Sequence, residues 1–198
     1  TDPLDFYAQQ KYLSERAAGW LNKAPTILRF GTLFGMSPRM RFDLVINLFV
    51  AQAIQEKQIT VFGGDQYRPF LHVDDAADAL IFALEKNLTG TYNVISENLT
   101  IKQAAEKISD ATGCKINISN ENEDKRNYKV SAEKLMQVGF HPSRTINDAI
   151  KEIGEAIENK EISNYADEKY SNYKLLFGSK EMQEKVFMLG IPGSLDVP

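Results

Sequence analysis

The chain has 198 residues, of which 43% are hydrophobic, and its net charge at pH 7 is −4. This composition is ordinary for a globular protein of one domain, or of one domain with an appendage. The negative charge excludes a global field that would attract nucleic acid or an anionic membrane. The single cysteine, Cys114, excludes an internal disulfide and fits a reducing cytoplasm.

No segment has the composition of a membrane anchor or an export signal. The most apolar run, residues 44–54, contains Asn47 and Gln52 and is much shorter than the roughly 20 apolar residues of a membrane-spanning helix. The acidic segment 1–9 lacks the basic and apolar regions of a signal peptide. We therefore expect a cytoplasmic protein with no membrane or nucleic-acid partner.

The first predicted element is a helix over residues 5–22 that carries Tyr7 and Lys11. Side chains four residues apart lie on one face of a helix. A lysine ammonium beside a phenol favours the phenolate. A tyrosine with an ordinary pKa near about 10 needs such help before it can exchange protons at neutral pH.

The Tyr-x-x-x-Lys spacing is weak evidence by itself, because the sequence contains it twice more, at Tyr165/Lys169 and Tyr170/Lys174. An isolated pair of this kind is more often exposed helix surface than catalytic machinery, and we interpret the two later copies as surface helix. The first copy differs in its surroundings, because an apolar strand running into Gly35 and then an arginine-rich loop come after it.

The amino-terminal helix is predicted to be amphipathic. Asp2 or Asp5 can cap its start, and Pro3 suits a first turn. A stripe of apolar residues is expected to pack on a sheet, and to be partly exposed where that sheet is missing. The stripe comprises Leu13, Ala17, Trp20 and Leu21.

A short buried strand is predicted at Thr26–Phe30, followed by a loop over residues 31–41. The two glycines of this loop let its backbone approach a ligand closely. Arg39 and Arg41 are either solvated loop arginines or forked donors for a phosphate or a sugar hydroxyl. An amphipathic helix is predicted to begin near Asp43.

The next strand and turn lead to further candidate binding residues. A strand over residues 58–62 ends in a glycine-rich turn at 63–65. Arg68 comes next, between this turn and a further predicted strand, where backbone can hold its planar donors against phosphate oxygens. His72 belongs to a residue type that titrates near neutral pH, but no second histidine lies near it in the sequence, so a metal site has no support. We predict a structural histidine that hydrogen-bonds backbone.

The remaining elements alternate between helices and short strands. Helices are predicted from an Asp74 or Asp75 cap, from a Thr100 cap to a stop at Gly113, and from a Thr145 cap, with strands at 92–95 and 115–119. The buried stripe of the first helix is predicted to be Ala76, Leu80, Ala83 and Leu84, and that of the last Ile146, Ala149, Ile150, Ile153 and Ile157. Residues 120–125 are expected to form a solvated loop, and residues 159–198 to pack on the rest of the chain, to pack on a partner, or to be disordered.

Four segments form a distinctive set. They are YAQQKYLSE at 7–15, LRFGTLFG at 28–35, RPFLHVD at 68–74, and DKRNYKVSAEKL with GFHP within 124–142. Together they resemble the extended short-chain dehydrogenase/reductase family, the nucleotide-sugar epimerases and dehydratases. The resemblance implies an α/β protein that contains the C-terminal portion of a Rossmann-type doubly wound fold and a smaller mixed α/β substrate-binding lobe.

The resemblance also implies a division of the chain. Residues 1–35 would be the active-site helix and strand of the Rossmann domain. Residues 36–158 would be the substrate-binding lobe, with elements that return to the Rossmann sheet. Residues 159–198 would form a C-terminal tail to which the resemblance assigns no role.

The roles that the resemblance implies are those of an NAD-dependent nucleotide-sugar epimerase or dehydratase, with NADP also open as cofactor. Tyr7 would remove a hydroxyl proton while hydride passes to the nicotinamide, and Lys11 would favour the phenolate and hold the cofactor ribose. Phe30 and Gly31 match residues beside the nicotinamide carboxamide. Nucleotide-sugar contacts are expected from Thr32, Arg39, Arg41, Asp43, Leu44, Phe62, Arg68 and Arg126, with Arg68 on the pyrophosphate. No metal is expected.

One family signature is missing from the sequence. No glycine loop of the form G-x-G-x-x-G or G-x-x-G-x-x-G occurs, and only six residues precede Tyr7. We therefore expect the C-terminal part of a family member, inactive alone, whose amino-terminal half is absent or built elsewhere. A homodimer is expected for the full-length protein. Two other functions stay open, a non-catalytic nucleotide-sugar-binding protein and an inactive fragment.

Overall fold

The computed structural model describes residues 6–20, 24–119 and 126–177. Its helices are α1 (Phe6–Ala18), α2 (Val45–Gln55), α3 (Val73–Glu85), α4 (Ile101–Thr112), α5 (Glu133–Gln137), α6 (Ile146–Glu158) and α7 (Asn172–Phe177), with a 3₁₀ turn at Glu168–Tyr170. Its strands are β1 (Thr26–Phe30), β2 (Thr32–Phe34), β3 (Gln58–Phe62), β4 (Tyr67–His72), β5 (Gly90–Val94), β6 (Glu97–Thr100) and β7 (Lys115–Ser119). The predictions for Asp2, Pro3, Asp5, Leu21, the loop 120–125 and the tail 178–198 lie outside the described residues.

The described strands form three small sheets. Strand β1 pairs with β5, and β3 pairs with β7, both in parallel. In the third sheet β4 lies between β2, to which it is parallel, and β6, to which it is antiparallel. Parallel strands need a crossover between them, usually containing a helix. Helices α2 and α3 lie between the parallel partners β1 and β5, and α3 and α4 lie between β3 and β7. The expected α/β class is confirmed.

Two of the strands were not predicted. Residues 32–34, which the sequence analysis placed in a loop, form β2 because Thr32 and Phe34 pair in register with Phe70 and His72 of β4. Strand β6 pairs with β4 from its other side. Both strands are short, and each is defined by the partner strand rather than by a periodicity of its own.

Two hydrophobic cores hold these elements together. The larger core lies between α2, α4, α6 and β3, and its fully buried residues include Ile46, Val50, Ile59, Ile108 and Ile153. The smaller core comprises Leu71, Ala76, Ala79, Tyr92, Val94, Leu135 and Phe140. The predicted stripe of α6 is confirmed, since Ile146, Ala149 and Ile153 are buried and Ile150 and Ile157 pack against the larger core.

The start of α3 differs from the prediction. His72 is the N-cap residue, and its Nδ1 accepts a hydrogen bond from the Asp74 amide at 3.3 Å. A cap by Asp74 or Asp75 is therefore wrong, whereas a structural histidine bonded to backbone is confirmed. Asp75 is only 1% exposed, and its carboxylate accepts hydrogen bonds from the amides of Ser143 and Arg144 and from the Arg144 guanidinium.

The buried face of α3 is rotated relative to the predicted one. Ala76, Ala79 and Ala83 are buried, whereas Leu80 and Leu84 are exposed, so the two leucines were wrongly assigned to the core. The rotation follows from the buried Asp75, whose bonds to residues 143–144 fix which side of the helix faces inward.

Helix α1 is exposed, and the expected exposure of its apolar stripe is confirmed. None of its residues is buried, and it ends at Ala18 rather than at residue 22. Leu13 is exposed, and Trp20, just beyond the helix, is 81% exposed. Within the described residues, the apolar stripe therefore does not pack on a sheet. Helix α2 begins at Val45, with Leu44 as its N-cap residue, slightly later than predicted.

Local capping signals were reliable elsewhere. Thr100 caps α4 by accepting a hydrogen bond from the Gln103 amide, and Gly113 ends that helix in the left-handed conformation. At the start of α6 the Thr145 amide donates to the Asp148 carboxylate at 2.7 Å. This hydrogen bond is the main cause that lowers the pKa of Asp148 below its ordinary value.

The described part of the C-terminal tail packs on the start of α2. Ile162 is buried in the larger core. The ring of Phe42 makes edge contacts with Tyr165 and Tyr170 at centroid distances of 6.1 and 5.1 Å, and its amide donates to the Tyr170 carbonyl. Neither tyrosine lies in an α-helix together with the lysine four residues later. The surface-helix interpretation of those two copies is wrong.

Candidate functional site

Tyr7 and Lys11 lie on the same side of α1. The Lys11 Nζ atom is 5.5 Å from the centroid of the Tyr7 ring, so the ammonium lies beside the aromatic face. The Tyr7 side chain is 67% exposed. The predicted shared face is therefore present, and it leaves the phenol accessible to a ligand.

A two-point ion pair connects this helix to the neighbouring strand. Arg29 of β1 donates from Nε to Glu15 Oε1 at 2.8 Å and from Nη2 to Glu15 Oε2 at 2.5 Å. The hydrogen bonds to Glu15 raise the pKa of Arg29, and this forked geometry is the strong form of an arginine–carboxylate pair. The position of Tyr7 and Lys11 relative to β1 therefore depends on Glu15, to which the sequence pattern assigned no role.

A cleft of about 390 Å³ opens where β1 ends. Phe30 and Gly31 form part of its wall, and Pro69 of β4 faces them. The Gly31 amide donates to the Val94 carbonyl at 3.0 Å, and a Cβ atom at position 31 would lie 2.9 Å from the Pro69 carbonyl oxygen. Position 31 thus requires glycine because two strands approach each other closely there.

The opposite wall of the cleft is the segment 128–131, which amide side chains attach to the sheet. Asn98 Nδ2 donates to the Val130 carbonyl and Asn98 Oδ1 accepts from the Val130 amide, both at 2.9 Å. Asn93 Nδ2 donates to the Ser131 carbonyl at 3.0 Å. The sequence analysis missed this wall, although the Y-x-V-S part of the late motif could have indicated it.

Arg68 is buried beside this wall, with 7% of its surface exposed. Its Nη1 donates to the Tyr67 carbonyl at 2.8 Å and also to the Arg126 carbonyl. Its guanidinium lies 5.7 Å from the centroid of the Tyr128 ring, and Tyr128 lines the cleft. The backbone of Arg126 therefore orients Arg68.

The two loop arginines, Arg39 and Arg41, do not line the cleft. Arg41 donates from Nε and Nη2 to the two carboxylate oxygens of Asp43, at 2.9 and 3.0 Å. Arg39 Nη2 donates to Asn172 Oδ1 at 2.9 Å. Leu44 lies directly after this pair as the N-cap residue of α2.

The predicted site residues thus fall into separate groups. Phe30 and Gly31 line the cleft, with Arg68 and the Arg126 backbone next to it. The remaining predicted residues do not line it; they are Tyr7, Lys11, Thr32, Arg39, Arg41, Asp43, Leu44 and Phe62. Thr32 pairs with Phe70 in β2, and Phe62 is exposed at the end of β3.

Residues 6–20, 24–119 and 126–177 contain neither a metal-binding cluster nor a membrane span. In these ranges no three side chains of His, Cys, Asp or Glu are grouped so that they could hold a metal ion. No helix there has the length and apolar character needed to cross a membrane.

The fold resembles the Rossmann-type structures of nucleotide-sugar epimerases and dehydratases. The structure of RMD from Pseudomonas aeruginosa complexed with NADPH superposes with a TM-score of 0.68, at 22% identity, over 80% of this chain and 58% of that one. The dTDP-glucose 4,6-dehydratase of Bacillus anthracis in complex with NAD superposes with a TM-score of 0.66, at 23% identity, over 81% of this chain and 54% of that one.

Sequence comparison agrees with this fold. Residues 1–94 match the NAD dependent epimerase/dehydratase family model. UDP-glucuronic acid decarboxylase 3 of Arabidopsis thaliana is 30% identical over 132 residues, which are 62% of this chain and 39% of the relative. The chain thus spans about two fifths of that relative. The family match ends at Val94, so it does not include the motif within 124–142.

Proposed function

We propose that the chain supplies the Tyr-Lys pair and the substrate side of an NAD(P)-dependent epimerase or dehydratase that acts on a nucleotide-diphosphate sugar. The observation that carries this proposal is the placement of Tyr7 and Lys11 together on an accessible helix face, joined through Glu15 to the strand that ends at Phe30. The family match of residues 1–94 and the sugar-nucleotide names of the relatives support it.

In this proposal the chemistry of the chain is a proton transfer. The Tyr7 phenolate accepts the proton of a sugar hydroxyl at Oη, and the nearby Lys11 ammonium favours the phenolate. The chemistry that a bound nicotinamide would supply is hydride acceptance from the carbon that carries that hydroxyl, so that this carbon would become a ketone. Epimerisation and dehydration both begin with this oxidation.

The residues at the end of β1 fit a planar cofactor ring. Phe30 is partly exposed there and lines the cleft together with Gly31. The diphosphate of a dinucleotide is held by a glycine-rich loop at a helix start, and the sequence contains no loop of the form G-x-G-x-x-G. Turnover would therefore require a second segment that supplies this loop.

For the substrate, Arg68 would bind the pyrophosphate. Its guanidinium is already oriented by the carbonyls of Tyr67 and Arg126, and a preoriented planar cation is suited to phosphate oxygens. Arg126 would assist it. Further contacts are proposed from Thr32, Arg39, Arg41, Asp43, Leu44 and Phe62. We further propose NAD or NADP as the cofactor and a homodimer as the state of the full-length protein.

Calorimetric titration of the chain with UDP tests the substrate side. Arg68→Lys keeps the charge and loses the fork, and a hydrogen bond to a charged group is worth roughly 1.5–3 kcal/mol. We expect the affinity to fall about tenfold or more, with no loss for Arg16→Lys, an exposed control on α1. A loss below about threefold would contradict the role of Arg68. Binding of UDP without turnover, once a glycine-loop segment is supplied, would favour the non-catalytic binding protein.

A further inference from the structure

A buried asparagine side chain lies in the apolar face of α2. Asn47 is only 4% exposed and is surrounded by the larger core. Its Oδ1 accepts a hydrogen bond from the Gly35 amide at 3.0 Å, and its Nδ2 donates to the Arg41 carbonyl at 3.0 Å. Burial of an amide is unfavourable unless its polar atoms are bonded. The Asn47 side chain therefore hydrogen-bonds the backbone at both ends of the loop 35–41.

A second polar group holds the same loop from α6. Glu152 Oε2 accepts a hydrogen bond from the Met36 amide at 3.1 Å and lies 3.3 Å from Nε2 of the buried His72. Gly35 has a φ of +101°, and a Cβ atom there would lie 2.4 Å from His72 Nε2. The backbone at residues 35 and 36 is thus also held by β4 and α6.

We propose that Asn47 is a positioning residue for nucleotide-sugar binding. It fixes the backbone of Arg41, while Asp43 fixes the guanidinium of the same residue. Arg39 lies within the loop that Asn47 closes. The inference rests on the proposed function, which assigns nucleotide-sugar contacts to Arg39 and Arg41 in addition to the pyrophosphate contact of Arg68. Asn47 itself is buried and acts only through the loop.

Three variants separate positioning from a merely structural role. Asn47→Leu removes both hydrogen bonds, whereas Asn47→Asp keeps the acceptor for the Gly35 amide and places an oxygen against the Arg41 carbonyl. Gln52→Leu is the matched control, because Gln52 lies on the same helix and its Oε1 accepts from the Thr60 amide at 3.4 Å, away from the loop.

The readouts are UDP affinity by calorimetry and, by NMR, exchange of the Gly35 amide and the Arg41 Nε–Hε signal. We expect Asn47→Leu to weaken UDP binding about tenfold or more, since a tenfold change corresponds to the loss of about one hydrogen bond. Asn47→Asp should shift the Arg41 signal while the Gly35 amide stays protected. Gln52→Leu should leave all three readouts within about twofold of the wild type.

Each outcome decides the inference. A folded Asn47→Leu chain that binds UDP within about twofold of the wild type would overturn it. If Asn47→Leu does not fold, Asn47→Asp decides: weaker UDP binding with the Arg41 signal shifted supports the inference, and unchanged binding overturns it. If the wild-type chain binds no UDP, the proposed function fails, and so does the binding role assigned to Asn47. In that case, faster exchange of the Gly35 amide in Asn47→Leu would show that Asn47 does fix the loop and that only the proposed function is wrong.

Discussion

Glu15 and Arg29 join the helix that carries Tyr7 and Lys11 to the first strand of the sheet, through two hydrogen bonds of 2.8 and 2.5 Å. Helix α1 has no buried residue, so apolar packing contributes little to its position. Both side chains of the pair are partly exposed, and such a pair is worth about 1 kcal/mol or less. The orientation of the candidate catalytic pair therefore depends on one partly exposed ion pair.

Glu15→Gln should release this anchor while changing global stability little. We expect the free energy of unfolding to fall by about 1 kcal/mol or less, and the amides of α1 to exchange clearly faster with solvent. Arg16→Gln, on the same helix, is the control. Hydrogen exchange followed by mass spectrometry measures the exchange rates of the α1 amides in both variants. If these amides exchange no faster in Glu15→Gln than in the wild type, the anchoring role of the ion pair is refuted.

Gly31→Ala should destabilise the fold, because the added Cβ would lie 2.9 Å from the Pro69 carbonyl oxygen. Such overpacking costs about 1–3 kcal/mol. Gly154→Ala is the matched control, since its Cβ would lie 3.4 Å from a flexible Ile54 methyl group. Gly154 lies within α6, and alanine is favoured over glycine inside a helix by about 1 kcal/mol. Thermal unfolding of the two variants should shift in opposite directions, and a neutral Gly31→Ala would contradict the close approach.

Asp75 and Asp78 allow a comparison of a buried and an exposed partner of Arg144. Asp75 is 1% exposed and also accepts from two backbone amides, whereas the Asp78 side chain is 52% exposed. Breaking a buried pair costs about 3–5 kcal/mol, and an exposed one about 1 kcal/mol or less. Denaturant unfolding should show this difference between Asp75→Ala and Asp78→Ala, and equal losses would contradict it.

The capping carboxylate of α6 should make stability depend on pH in the acid range. The hydrogen bonds from Thr145 lower the pKa of Asp148 in the folded chain below its ordinary value of 3.8. The stabilisation is therefore complete above about pH 4 to 5 and is lost as the pH falls through the folded pKa. Asp148→Asn should reduce stability at pH 7, and the difference from the wild type should shrink below pH 4. A difference independent of pH would rule out this titration.

The elements that the sequence predicted well are those defined by local signals. Thr100, Gly113 and Thr145 delimit helices through hydrogen bonds or backbone angles of neighbouring residues, so their positions follow from a few letters of sequence. Tyr7 and Lys11 share a face for the same reason. The roles of the later copies, at Tyr165 and Tyr170, could not be predicted in this way, because packing on Phe42 decides them.

The features that the sequence did not predict depend on distant partners. The wall of the cleft at Val130 is held by Asn98, which lies 32 residues earlier. Strand β2 exists because β4 lies beside it, and the rotation of α3 follows from the contact of Asp75 with Ser143. Asn47 looked like an interruption of an apolar run, and only the folded chain brings its amide to the loop.

The most direct test of the role of Tyr7 is to measure turnover of a UDP-sugar by the chain after NAD and a glycine-loop segment have been added. Tyr7→Phe removes the proton acceptor and leaves the helix intact, and Tyr12→Phe on the same helix is the matched control. General base catalysis contributes about 10²- to 10⁴-fold, so kcat should fall at least about a hundredfold in Tyr7→Phe, with UDP affinity unchanged and Tyr12→Phe fully active. Turnover that persists in Tyr7→Phe within about threefold of the wild type would contradict the account.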